Sequence, residues 1–304
     1  MIPRINKILS IPVALILLLA VTIVPTVVYS LSPTDGNSSN TLPVTNTKLS
    51  YPKPLNDPAK AVDDSTPYLN IAKSSYLASR TRASLQNISG ISPLTSSHRS
   101  YGSYINYNTA ISGVYAAHEV RTDLTFPADS NLNVLYAPTL NAPNWCPVES
   151  ATMYDHEPGA ATTTRSYIVS DNNLATHPVV KPIDSTFMSK YVRTYPEGQL
   201  YFTEIFNNGQ NWYVFLYNFN TAQWEQQYVC PVSEMGTDQH GWEVWESYLQ
   251  NTNPTVPKIE MNQLQVGINN NWYYVDSSRG ALCDSLTGYN KQMVSQYYHW
   301  KVWS

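Results

Sequence analysis

The sequence predicts an all-β fold, a sandwich or barrel of short antiparallel strands. Three observations carry this. First, from residue 101 onward, short runs of β-branched and aromatic residues alternate with Asn, Gly, Pro and Asp turn signals. Second, charged residues make up only 13% of the chain, against about 25% in an ordinary soluble protein, whereas there are 23 Tyr and 8 Trp; this composition suits strands better than helices. Third, residues 120–126 alternate cleanly, with Val120, Thr122, Leu124 and Phe126 on one face and Arg121, Asp123 and Thr125 on the other.

The chain opens with Arg4 and Lys7 ahead of an uncharged apolar run over residues 8–29, interrupted by Pro12 and Pro25. Its length lies between a secretory signal and a membrane span, so residues 1–31 read as a signal peptide or a retained membrane anchor, with everything after Leu31 exported. Residues 32–66, rich in Ser, Thr, Asn, Pro and Asp, read as a disordered linker. Ser65-Thr66-Pro67 then caps a short amphipathic helix carrying Tyr68, Leu69, Ala72, Tyr76 and Leu77, which gives a helical or pro-segment over residues 67–100. Residues 101–304 form the β-domain. Within it, Asn207-Asn208-Gly209 and Asn269-Asn270-Asn271 read as hairpin turns. The aromatic tail from Asp284 to Ser304 reads as a final strand or helix covering an edge.

The stretch that bears most on function is His240-Gly241-Trp242-Glu243-Val244-Trp245-Glu246-Ser247-Tyr248. A period of two places Trp242, Val244, Glu246 and Tyr248 on one face and Glu243, Trp245 and Ser247 on the other. Glu246 stands among large apolar side chains, where desolvation disfavours the carboxylate and raises its pKa toward the range useful in general acid–base work. The competing reading of the same strand is a carboxylate facing solvent between bulky neighbours.

Several segments resemble the eqolisins, or glutamic peptidases. Residues 120–127 resemble that family's V-x-A-x-x-x-V-P strand. Residues 204–223 resemble its Trp-containing hairpin with an N-x-T-T-G turn, and Gly241-Trp242-Glu243-Val244-Trp245-Glu246-Ser247 is similar to its A-E-W-I-V-E-D motif. The likeness covers roughly residues 111–275 and implies a two-sheet, concanavalin-like jelly roll of the lectin/glucanase type. It places the family's catalytic Glu on Glu246. The family's second catalytic residue, a Gln within V-E-Q-x-G, falls on Cys146-Pro147-Val148-Glu149-Ser150, so the partner is either Ser150 or, shifted by one residue, Glu149. A slip of one residue exchanges the faces of a strand, so the two are mutually exclusive. The Val134-Leu135-Tyr136-Ala137-Pro138 strand departs from the family's W-V-G-I-D-G, and its A-W-Y-E-W strand is missing. A Cys146–Cys230 disulfide, similar in place to one in eqolisins, would tie together the two strands carrying the candidate acids.

The resemblance implies an exported endopeptidase active at acidic pH. Glu246 would activate a water, and a protonated Glu149 would donate to the developing oxyanion. Trp242, Trp245 and Tyr154 would line the groove for an extended polypeptide substrate. No cofactor is required and no metal-ligand spacing is present. The net charge of -4 and sequence pI near 5.8 leave no basic footprint for nucleic acid. The chain is expected to be a monomer, with membrane anchoring possible through residues 8–29. The non-enzymatic alternative is a cell-surface sandwich that binds peptide or a surface glycan on its aromatic residues. Glycoside hydrolysis is the weaker enzymatic rival, because the E-x-D-x-x-E strand of the glucanases is absent.

Overall fold

The computed structural model describes residues 50–55, 57–63, 97–124, 126, 133–156, 163–170, 179–236, 238–249 and 255–304. The expected leader or anchor, the linker up to residue 49 and the helical segment over residues 67–96 lie outside the described residues. No helix among the described residues is long and apolar enough to cross a membrane.

A 3-10 turn at Pro58–Lys60 leads into β1 (Val62–Asp63). There follow β2 (Ser97–Ile105), β3 (Ile111–Glu119), β4 (Asn133–Asn141), β5 (Val148–His156), β6 (Thr163–Ser170) and β7 (Val179–Pro182). Helix α1 (Ser185–Tyr191) precedes β8 (Arg193–Tyr195), β9 (Gly198–Asn207), β10 (Asn211–Asn218), β11 (Gln223–Pro231) and β12 (Gly241–Leu249). The chain closes with β13 (Ile259–Ile268), β14 (Asn271–Tyr274), β15 (Gly280–Asp284), β16 (Asn290–Ser295) and β17 (His299–Trp303). Among the described residues, one sheet has ten strands, along the path β1-β11-β10-β9-β3-β13-β17-β16 with β8 beside β9 and β14 beside β13. The other has seven, in the order β15-β2-β12-β4-β5-β6-β7. Apart from the parallel pair β1–β11, the strand pairs are antiparallel, so the all-β expectation holds.

The largest buried cluster takes Val114, Ala116 and Ile205 from the ten-stranded sheet and Leu135, Leu140 and Trp245 from the seven-stranded one. Burial of this apolar surface supplies the main driving force. Polar residues also join the sheets. The indole Nε1 of Trp300 on β17 donates to the Glu243 carbonyl on β12 (3.0 Å), and the Ser150 and Thr203 hydroxyls meet at 2.7 Å. The Trp300 indole passes over Gly102 of β2, which has φ +149; a Cβ there would lie 2.4 Å from the Glu243 carbonyl oxygen and 2.9 Å from Trp300 Nε1.

Both predicted hairpin turns are present, joining β9 to β10 and β13 to β14. In the second, Asn269 and Asn270 have φ 51 and 61, as a two-residue turn with the twist of its strands requires. The aromatic tail forms β16 and β17 at an edge of the ten-stranded sheet. Among the described residues of the segment 120–127 no strand forms. The ladder ends at Glu119 because the Arg121 N–H donates to the Tyr154 hydroxyl (2.9 Å). Val120, Leu124 and Phe126 of the expected inner face are buried, but Thr122 is exposed, so the alternation is broken there. Residues 97–100, expected in the helical segment, open β2. Helix α1 was not anticipated; the Asp184 side chain caps it by accepting from Phe187 N at 2.9 Å.

The Cys146–Cys230 disulfide is corrected. Among the described residues no disulfide forms, and all three cysteines are buried. The Cys146 thiol donates to the Val148 carbonyl (3.6 Å). Burial, with the Glu234 charge second, pushes the Cys230 thiol up to about 12, so it stays neutral in the core. A thiol reagent should therefore titrate the cysteines only after unfolding, and dithiothreitol should leave the melting temperature unchanged. A reductant-dependent drop would restore the cross-link.

Candidate functional site

On β12, Glu243, Trp245 and Ser247 are fully buried between the sheets, whereas Trp242 and Glu246 are half-buried on the outer face. In register Glu246 is flanked by Ser100 of β2 and Tyr136 of β4, with Met153 of β5 beyond Tyr136. The Ser100 hydroxyl lies 3.1 Å from Cys283 Sγ and 3.2 Å from the Ser285 hydroxyl. Tyr104, which faces Trp242 across the same strand pair, has its phenol pushed up to about 12. The chief cause is a hydrogen bond with Cys283, followed by burial. Around Glu246 the structure thus assembles two hydroxyls and a thiol, none of which the sequence reading had marked.

Glu149 does not join Glu246. It shares the outer face, but its row is Glu149–Asn141–Trp242 while that of Glu246 is Met153–Tyr136–Glu246. Four residue steps of about 3.3 Å and two strand spacings of about 4.8 Å put the two Cα atoms roughly 16 Å apart. A shared proton needs a hydrogen-bond distance of about 2.5–3.0 Å. The alternative, Ser150, faces the other way and is fully buried against Thr203. The residue that does stand two strands across from Glu246 is Met153, whose thioether neither shares a proton nor donates to an oxyanion.

Two of the three expected substrate-lining aromatics are also corrected. Trp245 and Tyr154 are 0% exposed. Trp245 packs on Tyr289, with ring centroids 5.0 Å apart, and the Tyr154 hydroxyl is bonded to the Arg121 N–H. Both belong to the face between the sheets, so neither can line an open groove. Trp242 alone stays on the Glu246 face.

The interior face carries a different acid–base chain. Glu243 Oε2 lies 3.1 Å from His118 Nε2, His118 Nδ1 lies 2.9 Å from the Tyr201 hydroxyl, and that hydroxyl meets Thr152 Oγ1 at 2.9 Å. Burial raises the Glu243 pKa, with His118 opposing. All four residues are 0% exposed, so this relay is sealed from substrate and stitches the sheets together. Among the described residues no group of three His, Cys, Asp or Glu side chains is placed to hold a metal.

A second aromatic face lies on the far side of the ten-stranded sheet, around Tyr115, Phe202, Phe215 and Trp224, and Tyr51 and Leu55 pack against it. Residues 50–55 fall within the expected linker, yet they are seated here as a strap. Tyr115 donates its hydroxyl to the Pro52 carbonyl (2.8 Å), and Trp224 Nε1 donates to the Lys53 carbonyl (3.0 Å). Leu55 N–H donates to Glu204 Oε2 (2.7 Å). Tyr51 stacks on Tyr195, with centroids 5.0 Å apart, and donates to Glu197 Oε1 at 2.7 Å. Glu204 is fully buried and its pKa is raised well above the ordinary value by desolvation, against the Leu55 bond.

No family model matches the chain, and no curated protein matches it. Among solved structures the chain is similar to scytalido-glutamic peptidase with a peptide-based transition-state analogue, at 11% identity over 68% of this chain and 98% of that one, with a TM-score of 0.41. It is similar also to SCP-B, a member of the eqolisin family of peptidases, in complex with the tripeptide Ala-Ile-His. There the identity is 10% over 68% and 98% of the two chains, with a TM-score of 0.39. At this level of likeness no residue role passes from either protein to this chain.

Proposed function

We propose that the chain is an exported β-sandwich that binds extended polypeptide on the aromatic outer face of its ten-stranded sheet. The observation that supports this reading is the strap itself. A tyrosine hydroxyl, an indole N–H and a buried carboxyl engage the main chain of residues 52–55, and main-chain groups are present in every peptide. Side chains that read main-chain carbonyls while aromatic rings hold proline-rich chain are a recurring mode of peptide recognition.

An acid endopeptidase centred on Glu246 is the second reading. It is favoured by the Ser100, Tyr104 and Cys283 donors gathered on the Glu246 face, whereas Glu149, the expected second acid, stands roughly 16 Å away in the strand register. One assay separates the two. Denatured, labelled casein is incubated with the full chain from pH 2 to 7, and both bound label and released amines are measured. Saturable binding with no amine release is the expected result, unchanged in Glu246→Gln. Hydrolysis that disappears in Glu246→Gln would move the assignment to the peptidase.

A further inference from the structure

The strap residues Ser50-Tyr51-Pro52-Lys53-Pro54-Leu55 follow a readable pattern. The two prolines fix φ near about −65° and supply no N–H, which favours an extended polyproline-type course whose carbonyls have no internal partner. Those carbonyls at 52 and 53 are the ones that Tyr115 and Trp224 engage. Tyr51 and Leu55 anchor the two ends on the aromatic face, while Lys53 is exposed. The first amide N–H after the second proline, that of Leu55, meets Glu204. The groove therefore reads position: an aromatic anchor, two carbonyls, then one N–H and an apolar anchor.

The strap does not exhaust this groove. Glu204 is fully buried, and among the described residues its Oε1 has no hydrogen-bond partner while the strap is in place. An unpartnered buried carboxyl oxygen is a standing penalty, which a ligand offering one more polar group beside that amide would remove.

We propose that the groove selects segments of the pattern Tyr-Pro-x-Pro-Leu from another polypeptide, and that residues 50–55 are its resident competitor. This rests on the peptide-binding reading above and adds the ligand class and the self-occlusion. Six residues separate Leu55 from Val62 of β1, which pairs with β11 in the same sheet, so the strap is tethered beside the groove. Held in cis, it competes at an effective concentration in the millimolar range typical of short tethers.

The test uses the full chain and a fluorescent acetyl-Ser-Tyr-Pro-Lys-Pro-Leu amide, read by anisotropy. A strap-weakened chain, Tyr51→Ala with Leu55→Ala, is expected to bind the peptide at least tenfold more tightly than the wild type. Adding Tyr115→Phe, which removes one hydroxyl and keeps the ring, should weaken binding about three- to tenfold. A peptide of scrambled order should not bind. If scrambled and ordered peptides bind alike, the selectivity is overturned while peptide binding stands. If neither binds to a strap-weakened chain that retains its circular dichroism and cooperative melting, both readings fall. Mixed dimers of wild-type and strap-weakened chains, seen by light scattering with no peptide present, would make the occupant a second copy and overturn the partner assigned here.

Discussion

Acidification from pH 7 to about 4.5 is expected to stabilise the folded chain. Glu119, Glu204 and Glu243 are each at most 1% exposed, and burial raises all three carboxyl pKa values. For Glu119 the value reaches about 7, with Lys258 and Arg121 only partly offsetting desolvation. A carboxyl whose pKa is higher folded than unfolded contributes stability that is complete below the unfolded pKa and is lost as pH rises through the folded one. For Glu119, a rise from 4.5 to about 7 corresponds to about 3 kcal/mol at roughly 1.4 kcal/mol per pH unit.

Other carboxyls act in the opposite sense. In Glu260, hydrogen bonds from His299 and Lys258 outweigh desolvation and lower its pKa. Asp123 is lowered by Arg121, and Asp276 by Ser278. Their contributions are lost only as pH falls below about 4, so the trend reverses there. Calorimetry from pH 8 to 3 checks this directly. Glu119→Gln should flatten the slope between pH 7 and 4.5 by about 3 kcal/mol. A wild-type melting temperature that falls over that interval would contradict the account.

Gly102→Ala is expected to cost more than about 4 kcal/mol, in the range reserved for strained backbone combined with overpacking. The φ of +149 is one that side chains rarely adopt, and the new methyl would meet the Glu243 carbonyl oxygen at 2.4 Å and Val244 Cα at 2.8 Å. Neither neighbour is a flexible side-chain end that can swing away. Trp300→Phe offers a milder comparison, since it removes the Nε1 bond to the Glu243 carbonyl and should cost about 1–3 kcal/mol for the buried acceptor left behind. Urea unfolding of both variants at pH 5 gives the comparison. A Gly102→Ala chain within about 1 kcal/mol of wild type would mean that the sheets do not press together at this point.

The all-β class, both Asn-rich hairpins and the strand around Glu246 were legible in the sequence because each rests on local chemistry: period-two alternation, or residues that tolerate positive φ. Which face of β12 turns inward was not. Glu243 and Glu246 both sit among aromatics, and an alternating strand fixes only that they point opposite ways. The inward choice depends on His118, Tyr201 and Trp300, all distant in the chain. The same lack of long-range information left Trp245 and Tyr154 assigned to a groove and Glu149 assigned to a dyad. Glu204 carried the same local signal as Glu246, a carboxyl in the Tyr201-Phe202-Thr203-Glu204-Ile205-Phe206 run, and it was passed over for want of a motif. The strap was read as linker because its prolines and lysine resemble disordered chain. The cue that it docks was Tyr51 and Leu55 bracketing the two prolines.

The order of strands also governs when the molecule can take shape during its synthesis. β2 lies between β12 and β15, and the indole that crosses it belongs to Trp300 of β17. A chain halted at residue 240 therefore lacks both neighbours of β2 and the Trp300 indole, while the Ser150–Thr203 contact between the layers is already available. Contacts this distant in sequence form slowly and late. The closing of the two layers over β2 is therefore a later step of folding than the contacts that β3 to β11 make among themselves.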